Sequence, residues 1–222
     1  MTASTESDTR ERLLDAAEKL FSENGIGATS LRAITAEAKA NLASIHYHFG
    51  SKQALLLEVF SRRIAPVNAQ RLELLNSAEG EGPIDLDTIV KAFVSPPLHL
   101  LHRPDLGGRH FLQIMGRLHS EPAEIKIKIL PMFEEVARRF TEAIGSCLPH
   151  LDQTELFWRF HYMVGCMVFT MVSWDILANC SGDGCGHDDV EENVERLVRF
   201  ISGGLAAPGH PGGHDVNRED GQ

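Results

Sequence analysis

A short segment rich in small, polar and aromatic side chains carries the most specific chemistry in this chain. Ala43 and Ser44 are small, so the backbone of a helix that holds them can come close to the edges of bases. His46, Tyr47 and His48 follow with hydrogen-bond donors and flat rings, which suit the wall of a DNA groove. These residue types in this order favour a helix that reads duplex DNA.

A second group of residues offers contacts for phosphate. Lys52 stands at the start of a predicted helix, where a cation and backbone N–H groups together suit a phosphate oxygen. Thr29, Ser30 and Arg32 occupy the same place at the start of the preceding helix. The predicted DNA-binding residues are therefore Thr29, Ser30, Arg32, Ala43, Ser44, His46, Tyr47, His48 and Lys52.

Three N-terminal helices must position these side chains. After a polar, flexible arm over residues 1–8, a first helix is predicted to begin near Asp8 or Thr9 and to end at Asn24-Gly25. Thr29 or Ser30 caps the second helix, a turn follows at residues 39–41, and the third helix spans about residues 42–49. The inward residues of that third helix are predicted to be Leu42, Ile45 and Phe49. Ser51 then caps a long helix that passes Pro66 and ends before residues 79–83.

The rest of the chain also shows helical spacing, and no convincing alternation of period two predicts a strand. An all-α fold is therefore expected. Residues 203–222 are rich in Gly, Pro and polar residues, which predicts a disordered tail. The expected later helices are Asp85 to about His102 (broken at Pro96-Pro97), Gly107 to Ser120, Pro122 to about Ser146, Asp152 to about Asn179, and Asp188 to about Ser202.

Charge and composition restrict the class of protein. The net charge is −10, yet residues 1–63 hold eight basic and eight acidic side chains, so the negative balance lies in residues 64–222. DNA binding requires local cations and not a basic protein, so this balance permits it. No apolar run is long enough to span a membrane, and no secretory signal is recognised, so a cytoplasmic protein without a membrane partner is expected.

The segment RERLLDAAEKLFSENGIGATSLRAITAEAKANLASIHYHFGSKQALLLEVF resembles the N-terminal domain of TetR-type transcriptional regulators. The likeness covers roughly residues 9–62 and joins three phrases at the correct spacing: the first-helix DAAEKLF, the second-helix TSLRAITAEA and the ending YHFGSK. It implies a three-helix helix-turn-helix DNA-binding domain over 9–62 and a helical ligand-binding and dimerisation domain over 63–202. It also implies a homodimer on double-stranded operator DNA, repression relieved by a small effector, and no cofactor.

Two positions depart from the pattern of that family. Lys39 stands at a turn position usually held by Gly, and a positive φ there would strain a residue with a side chain. His46 stands where the family often has Tyr, which changes how the helix reads bases. The operator sequence therefore cannot be carried over from the family.

The C-terminal helices are rich in Met and aromatic residues, and the segment from Phe157 to Trp174 is apolar on most faces. Such a helix is central or lies at an interface, so a plain core with a dimer interface competes with an effector pocket. An apolar lining implies an apolar effector with one polar head. The candidate lining residues are Arg109, Phe111, Gln113, Met115, Arg117, Phe133, Trp158, His161 and Met167.

Other functions remain as alternatives at this stage. Eleven histidines and the group Cys180, Cys185 and His187 suggest a metal sensor, but no spacing matches a zinc motif. No motif of a hydrolase, a phosphate-binding loop or a zinc protease is present, so an enzyme would have to be an unusual all-α hydrolase. A DNA-binding protein without an effector, whose C-terminal part serves only assembly, is the third alternative.

Overall fold

The computed structural model describes residues 2–103, 108–118, 123–181 and 189–209. Within these ranges, the side chains of residues 2–6, 109, 111, 114, 117, 174, 175, 178 and 181 are not described. All regular elements of the described ranges are helical, which agrees with the predicted all-α fold. None of these helices has the length and apolar character needed to cross a bilayer.

Four helices build the N-terminal part. They are α1 (Thr2–Asn24), α2 (Leu31–Glu37), α3 (Leu42–His48) and α4 (Lys52–Gly80). The first three pack on one another, and α1 also packs on α4, through side chains that are completely buried, including Leu13, Phe21, Ile34 and Ile45. Burying each such side chain contributes about 1.5–3 kcal/mol. These side chains belong to a single apolar core that continues along α4 into the C-terminal helices.

The first helix is longer than its sequence signals suggest. It begins at Thr2, so the predicted start near Asp8 or Thr9 and the predicted flexible arm over 1–8 are wrong. Both errors arise because a polar cap residue also occurs inside exposed turns of helices, where local sequence cannot separate the two situations. The predicted end is confirmed, since α1 ends at Asn24 and Gly25 takes a φ of 87°.

The C-terminal part is a helical bundle. Its helices are α5 (Leu86–Leu101), α6 (Gly108–Arg117), α7 (Ala123–Ile129), α8 (Glu134–Cys147), α9 (Gln153–Val172), α10 (Trp174–Ser181) and α11 (Val190–Leu205). Helix α5 lies at the centre, in contact with α4, α6, α8, α9 and α11. Helix α4 continues past Pro66 into this bundle, so it belongs to both parts of the chain.

Several predicted helix boundaries differ from the structure, and among them α4 ends at Gly80, inside the loop predicted over residues 79–83. A 3-10 turn at Leu130–Phe133, with Pro131 in its first turn, separates α7 from α8, because proline lacks the N–H that a continuous helix needs. Ser173 separates α9 from α10. In contrast, α5 continues through Pro96 and Pro97, both of which are buried, so packing outweighs two lost hydrogen bonds.

The last helix is anchored by a buried arginine. Arg159 of α9 is only 6% exposed, and its guanidinium donates to the carbonyls of Leu205 and Ala207 at 2.5 Å and of Pro208 at 3.0 Å. Glu155 accepts from its Nε at 2.8 Å. Residues 203–209 are therefore held in place, which corrects the predicted tail over 203–222. Residues 210–222 lie outside the described residues.

Candidate nucleic-acid interface

Helix α3 has only seven residues, so its neighbours must hold it in place. Asn41 caps its first turn by accepting a hydrogen bond from the Ser44 N–H at 2.8 Å. Ile45 is completely buried and Phe49 is 9% exposed, and both face the core formed with α1 and α2. Leu42 was expected to face inward but is 40% exposed, because it stands at the first position of the helix, beside its cap.

The opposite face of α3 points to solvent. Ala43, His46 and Tyr47 are exposed, and Tyr47 is the most open of them at 73%. Ser44 and His48 are half-buried on its flanks, and the ring of His48 meets the ring of Tyr47 edge-on at 5.1 Å. A polar and aromatic face on a short helix, anchored from behind, is the geometry that a helix needs to enter a major groove.

Two polar side chains of α3 already hydrogen-bond within the motif. The Ser44 hydroxyl donates to Asn41 Oδ1 at 3.0 Å, and His46 Nδ1 donates to the Gly50 carbonyl at 3.1 Å. Because a carbonyl only accepts, the bond to Gly50 requires a proton on His46 Nδ1. The other ring nitrogen, Nε2, then points away from the Gly50 carbonyl. Both side chains are therefore oriented before any partner arrives.

Thr29, Ser30 and Arg32 were predicted to act together at the start of α2, but they lie in different environments. Ser30 caps α2 by accepting from the Ala33 N–H at 3.1 Å, and both Ser30 and Arg32 are exposed. Thr29 is only 3% exposed, and its hydroxyl lies 2.8 Å from the Gly25 carbonyl and 3.0 Å from the Leu20 carbonyl. The Thr29 side chain therefore stabilises the loop after α1, and the expected phosphate contact by its hydroxyl is wrong.

Lys52 stands where α4 begins, next to its N-cap Ser51. Its ammonium donates to the backbone carbonyls of Ile26 at 2.5 Å and Gly27 at 3.5 Å. The side chain therefore ties the start of α4 to the loop between α1 and α2. A phosphate bound by Lys52, as predicted, would therefore contact an ammonium that also donates to these two carbonyls.

Lys39 makes the turn between α2 and α3 with a φ of 50°, which is the left-handed conformation expected there. The turn is closed by the Lys39 N–H on the Ala36 carbonyl at 3.2 Å and the Ala40 N–H on the Thr35 carbonyl at 2.9 Å. This conformation costs about 1–2 kcal/mol for a residue with a Cβ. The reading helix is thus joined to α2 by a strained residue.

Replacing Lys39 with glycine should remove that strain. We expect Lys39→Gly to raise the free energy of unfolding by about 0.5–1 kcal/mol, since part of the gain is offset by the greater backbone freedom of glycine when unfolded. Denaturant unfolding measures this change. Lys39→Ala is the matched control, because it removes the charge but keeps the Cβ; a gain in stability equal to that of the glycine variant would contradict the strain.

Several cations of the N-terminal part are engaged in ion pairs. Glu18, only 3% exposed, accepts from both Arg62 and Arg63 of α4, with Arg63 Nε and Nη2 each 3.0 Å away. Arg62 also donates to Asp15 at 2.7 Å. This ionic cluster of Asp15, Glu18, Arg62 and Arg63 fastens α4 to α1 and occupies two of the eight basic residues counted for the head.

The predicted pocket residues are not all in one place. Met167 is buried at 6% exposure, whereas Met115 and Phe133 are half-buried against the core. Gln113 and His161 are exposed, and Trp158 is 54% exposed on the outside of α9. Trp158 and His161 therefore lie on the surface of the protomer and not in its interior, and their contact with an effector stays a prediction. Arg109, Phe111 and Arg117 lie outside the described side chains.

A buried arginine that the sequence reading missed lies within the bundle. Arg71 of α4 is only 3% exposed, and burial lowers its pKa to about 9, so it remains charged at pH 7. Its guanidinium donates to the Phe93 carbonyl at 2.8 Å, Asn68 Oδ1 at 3.2 Å and Met167 Sδ at 3.2 Å. It also lies over the Phe93 ring at 4.0 Å. The spacing of Ile64, Asn68, Arg71 and Leu75 would have revealed it, because all four share the buried face of α4.

Helices α9, α10 and α11 each carry exposed apolar side chains, which together are called here the α9–α11 face. Between α9 and α11 it contains a groove of about 320 Å³ that is lined by Tyr162, Met163, Cys166, Phe200 and Ile201, among others. Phe200 on its rim is 70% exposed. The residues of the face that are more than a third exposed are Phe157, Trp158, Tyr162, Phe169, Val172, Ile176, Leu177 and Phe200.

The described residues include no group of three or more His, Cys, Asp or Glu side chains placed to hold a metal ion. Cys180 is an exposed free thiol within the described ranges, whereas Cys185, His187, His210 and His214 lie outside them. Nothing in the geometry of the described part therefore favours a metal sensor.

Two family profiles match the sequence, one for each part of the chain. The profile of bacterial regulatory proteins of the tetR family matches residues 13–59, and that of the tetracyclin repressor-like C-terminal domain matches residues 91–204. The second match alone extends over half of the chain. Residues 60–90, between the two matches, comprise most of α4, the loop after it and the first residues of α5.

Individual relatives either match a shorter part of the chain or share a lower sequence identity with it. The regulator UidR of Escherichia coli K12 is 30% identical over 138 residues, which are 61% of this chain and 66% of UidR, just under two thirds of its length. The repressor NemR of the same strain is 34% identical over 80 residues, 36% of this chain and 40% of NemR. Among solved structures, FadR of Bacillus subtilis in complex with stearoyl-CoA has a TM-score of 0.67 at 14% identity, covering 87% of this chain and 98% of that one.

Proposed function

We propose, on the premise that this chain belongs to the TetR family of transcriptional regulators, that it is a ligand-responsive repressor which binds a palindromic operator as a homodimer. Membership makes the chain a DNA-binding transcription regulator and not an enzyme. Repression, the effector and the homodimer are our inferences. The observation that carries them is a solvent-facing α3 on one end of α4 and a buried charged site on the same helix.

The exposure of side chains on α2 and α3 supports the proposed DNA-binding residues. Tyr47, His46 and Ala43 form the exposed face of α3, with Ser44 and His48 on its flanks. Ser30 and Arg32 lie at the exposed N-terminus of α2, and Lys39 is exposed in the turn. We infer that α3 enters the major groove while the cations of α2 and the turn contact phosphates.

A second copy of this chain is the proposed occupant of the α9–α11 face. A palindromic operator needs two reading helices about 34 Å apart, which a two-fold dimer supplies. Phe200 projects beside a groove on the same face, so a two-fold axis would place the Phe200 of each protomer near the groove of the other. An apolar face of this breadth exposed on a monomer would favour aggregation.

Helix α4 is the proposed link between effector and DNA. It spans about 44 Å, since each of its 29 residues adds about 1.5 Å. Its N-terminal end is tied to the head by Lys52 and the ionic cluster, and its middle carries Arg71 within the bundle. An effector that binds better to one tilt of α4 would change the separation of the two heads and hence the affinity for the operator.

Two binding experiments test the repressor proposal. Purified protein should protect a two-fold symmetric site in the DNA upstream of its own gene, with two protomers on each fragment. A library of apolar small molecules should contain compounds that release the fragment. Protection without any release would favour the alternative of a regulator without an effector, and release by a chelator alone would favour a metal sensor.

The same experiments can contradict the proposal in another way. A single unsymmetric footprint that persists with strictly monomeric protein would contradict the homodimer. Failure to bind any fragment from the flanking DNA would contradict repression of its own operon.

A further inference from the structure

Arg71 is a buried charge whose described partners are all neutral. Its hydrogen bonds go to a backbone carbonyl, a side-chain amide and a thioether, and none of the described residues that pair with it is a carboxylate. Removing a cation from water is costly unless an anion or strong acceptors compensate it. Other buried charges of this protein have such compensation: Glu18 meets two arginines, and Arg159 meets Glu155 and three carbonyls.

One of the three bonds is poorly matched. Arg71 Nη2 donates to Met167 Sδ at 3.2 Å, although a thioether is only a weak acceptor. A guanidinium pairs best with a carboxylate, which accepts two parallel N–H bonds. Methionine is flexible, so Met167 could turn away when a stronger acceptor arrives. The contact therefore marks the side of Arg71 that an anion would take.

The surroundings of Arg71 suit an apolar body attached to that anion. Phe93 packs beneath the guanidinium and meets the rings of Phe140 and Phe160 edge-on at 5.1 and 5.5 Å. Asn68, beside Arg71, donates to the Met132 carbonyl at 2.7 Å, which brings the 3-10 turn Leu130–Phe133 next to the site. An incoming ligand would thus meet aromatic rings and methionines around one cation.

We propose that Arg71 binds the anionic head of the effector, and that the effector is a monocarboxylate with an apolar body. This inference rests on the proposed function. One guanidinium among neutral partners balances one negative charge, which favours a carboxylate over a phosphate that carries more than one. Because Arg71 belongs to α4, the helix that also holds the reading head, binding there would act on that helix directly.

The test compares carboxylates with their neutral methyl esters on the full chain. The series runs from butanoate to hexadecanoate, and binding is followed by calorimetry and by thermal unfolding without DNA. We expect at least one acid of the series to bind about 10- to 100-fold more tightly than its ester, the range for losing one charge-assisted pair. Equal affinity of acids and esters, or no binding by any acid, would overturn the inference.

Three variants locate the site. Arg71→Met should abolish the preference for the acid, Arg71→Lys should retain part of it, and Arg138→Met, which removes an arginine from the exposed side of α8, should leave it unchanged. The comparison of acid and ester on the unmodified protein decides the question even if Arg71→Met fails to fold. An acid preference that survives in folded Arg71→Met would overturn the assignment, as would binding of stearoyl-CoA without binding of any free acid.

Release of DNA is measured separately with the same compounds. If a carboxylate binds through Arg71 but the protein ignores its upstream DNA, the repressor proposal fails while the carboxylate site stands. If a neutral compound releases the DNA and no acid binds, the repressor proposal stands while the carboxylate site fails.

Discussion

Tyr47→Ala should weaken operator binding about 30-fold or more without changing the free energy of unfolding or the dimer. Losing even about 1 kcal/mol at each of two half-sites gives about 2 kcal/mol in the complex, which corresponds to that factor. Because Tyr47 is 73% exposed at the centre of the outer face of α3, its side chain contributes little to the core. Fluorescence anisotropy of a labelled operator fragment measures the affinity.

Tyr47→Phe separates the two parts of the side chain. If the hydroxyl donates to a phosphate, the phenylalanine variant should lose most of the affinity, and its dependence on salt should stay the same because the hydroxyl carries no charge. If the ring packs on the groove wall, the variant should keep most of it. Operator affinity of Tyr47→Ala equal to that of the unmodified protein would place the reading surface elsewhere.

The second large effect is expected at the α9–α11 face. Phe200→Glu should convert the dimer to monomers and reduce operator affinity by more than about 100-fold, since burying a phenylalanine in each protomer contributes about 1.5–3 kcal/mol and burying a carboxylate in its place adds a further cost. Sedimentation velocity measures assembly, and circular dichroism checks that the helices remain folded. Phe200 is 70% exposed, so the single protomer should tolerate the change.

Ile127→Glu is the matched control for this variant. Ile127 is also an exposed apolar residue, at 63%, but it lies on α7, away from α9–α11. Its change should leave both assembly and operator affinity intact. A Phe200→Glu protein that still sediments as a dimer, or an Ile127→Glu protein that dissociates equally, would contradict the proposed dimer face.

The parts that the sequence predicted well depend on neighbouring residues. Ser30, Asn41 and Ser51 each accept from an N–H three residues later, so the starts of α2, α3 and α4 follow from local rules. The inward positions of Ile45 and Phe49 also depend only on spacing, whereas the left-handed turn at Lys39 was expected from the resemblance to the family. For this reason the helix-turn-helix and the all-α fold were predictable.

The parts that were missed depend on residues far apart in the chain. Thr29 is buried because the loop folds back on Leu20 and Gly25, and Arg71 is buried because α5 and α9 close over α4. Helix α9 is apolar on most faces, so its periodicity could not show that Trp158 faces outward while Met167 faces inward. Only Arg71 had a usable local signal, its helical spacing with Ile64 and Leu75 on α4; the roles of Thr29 and Trp158 follow from the packing of helices and not from the pattern of any single one.

The ionic cluster between α1 and α4 sets a rule for protein engineers who wish to exchange modules among these regulators. Glu18 and its arginine partners are more than 40 positions apart, so a fusion joined within the first turns of α4 would take one side of the cluster from each parent. A carboxylate left enclosed without its cations costs several kcal/mol. Grafts of the reading module onto a new sensor should therefore be joined beyond Ile64, so that Glu18, Arg62 and Arg63 are inherited together.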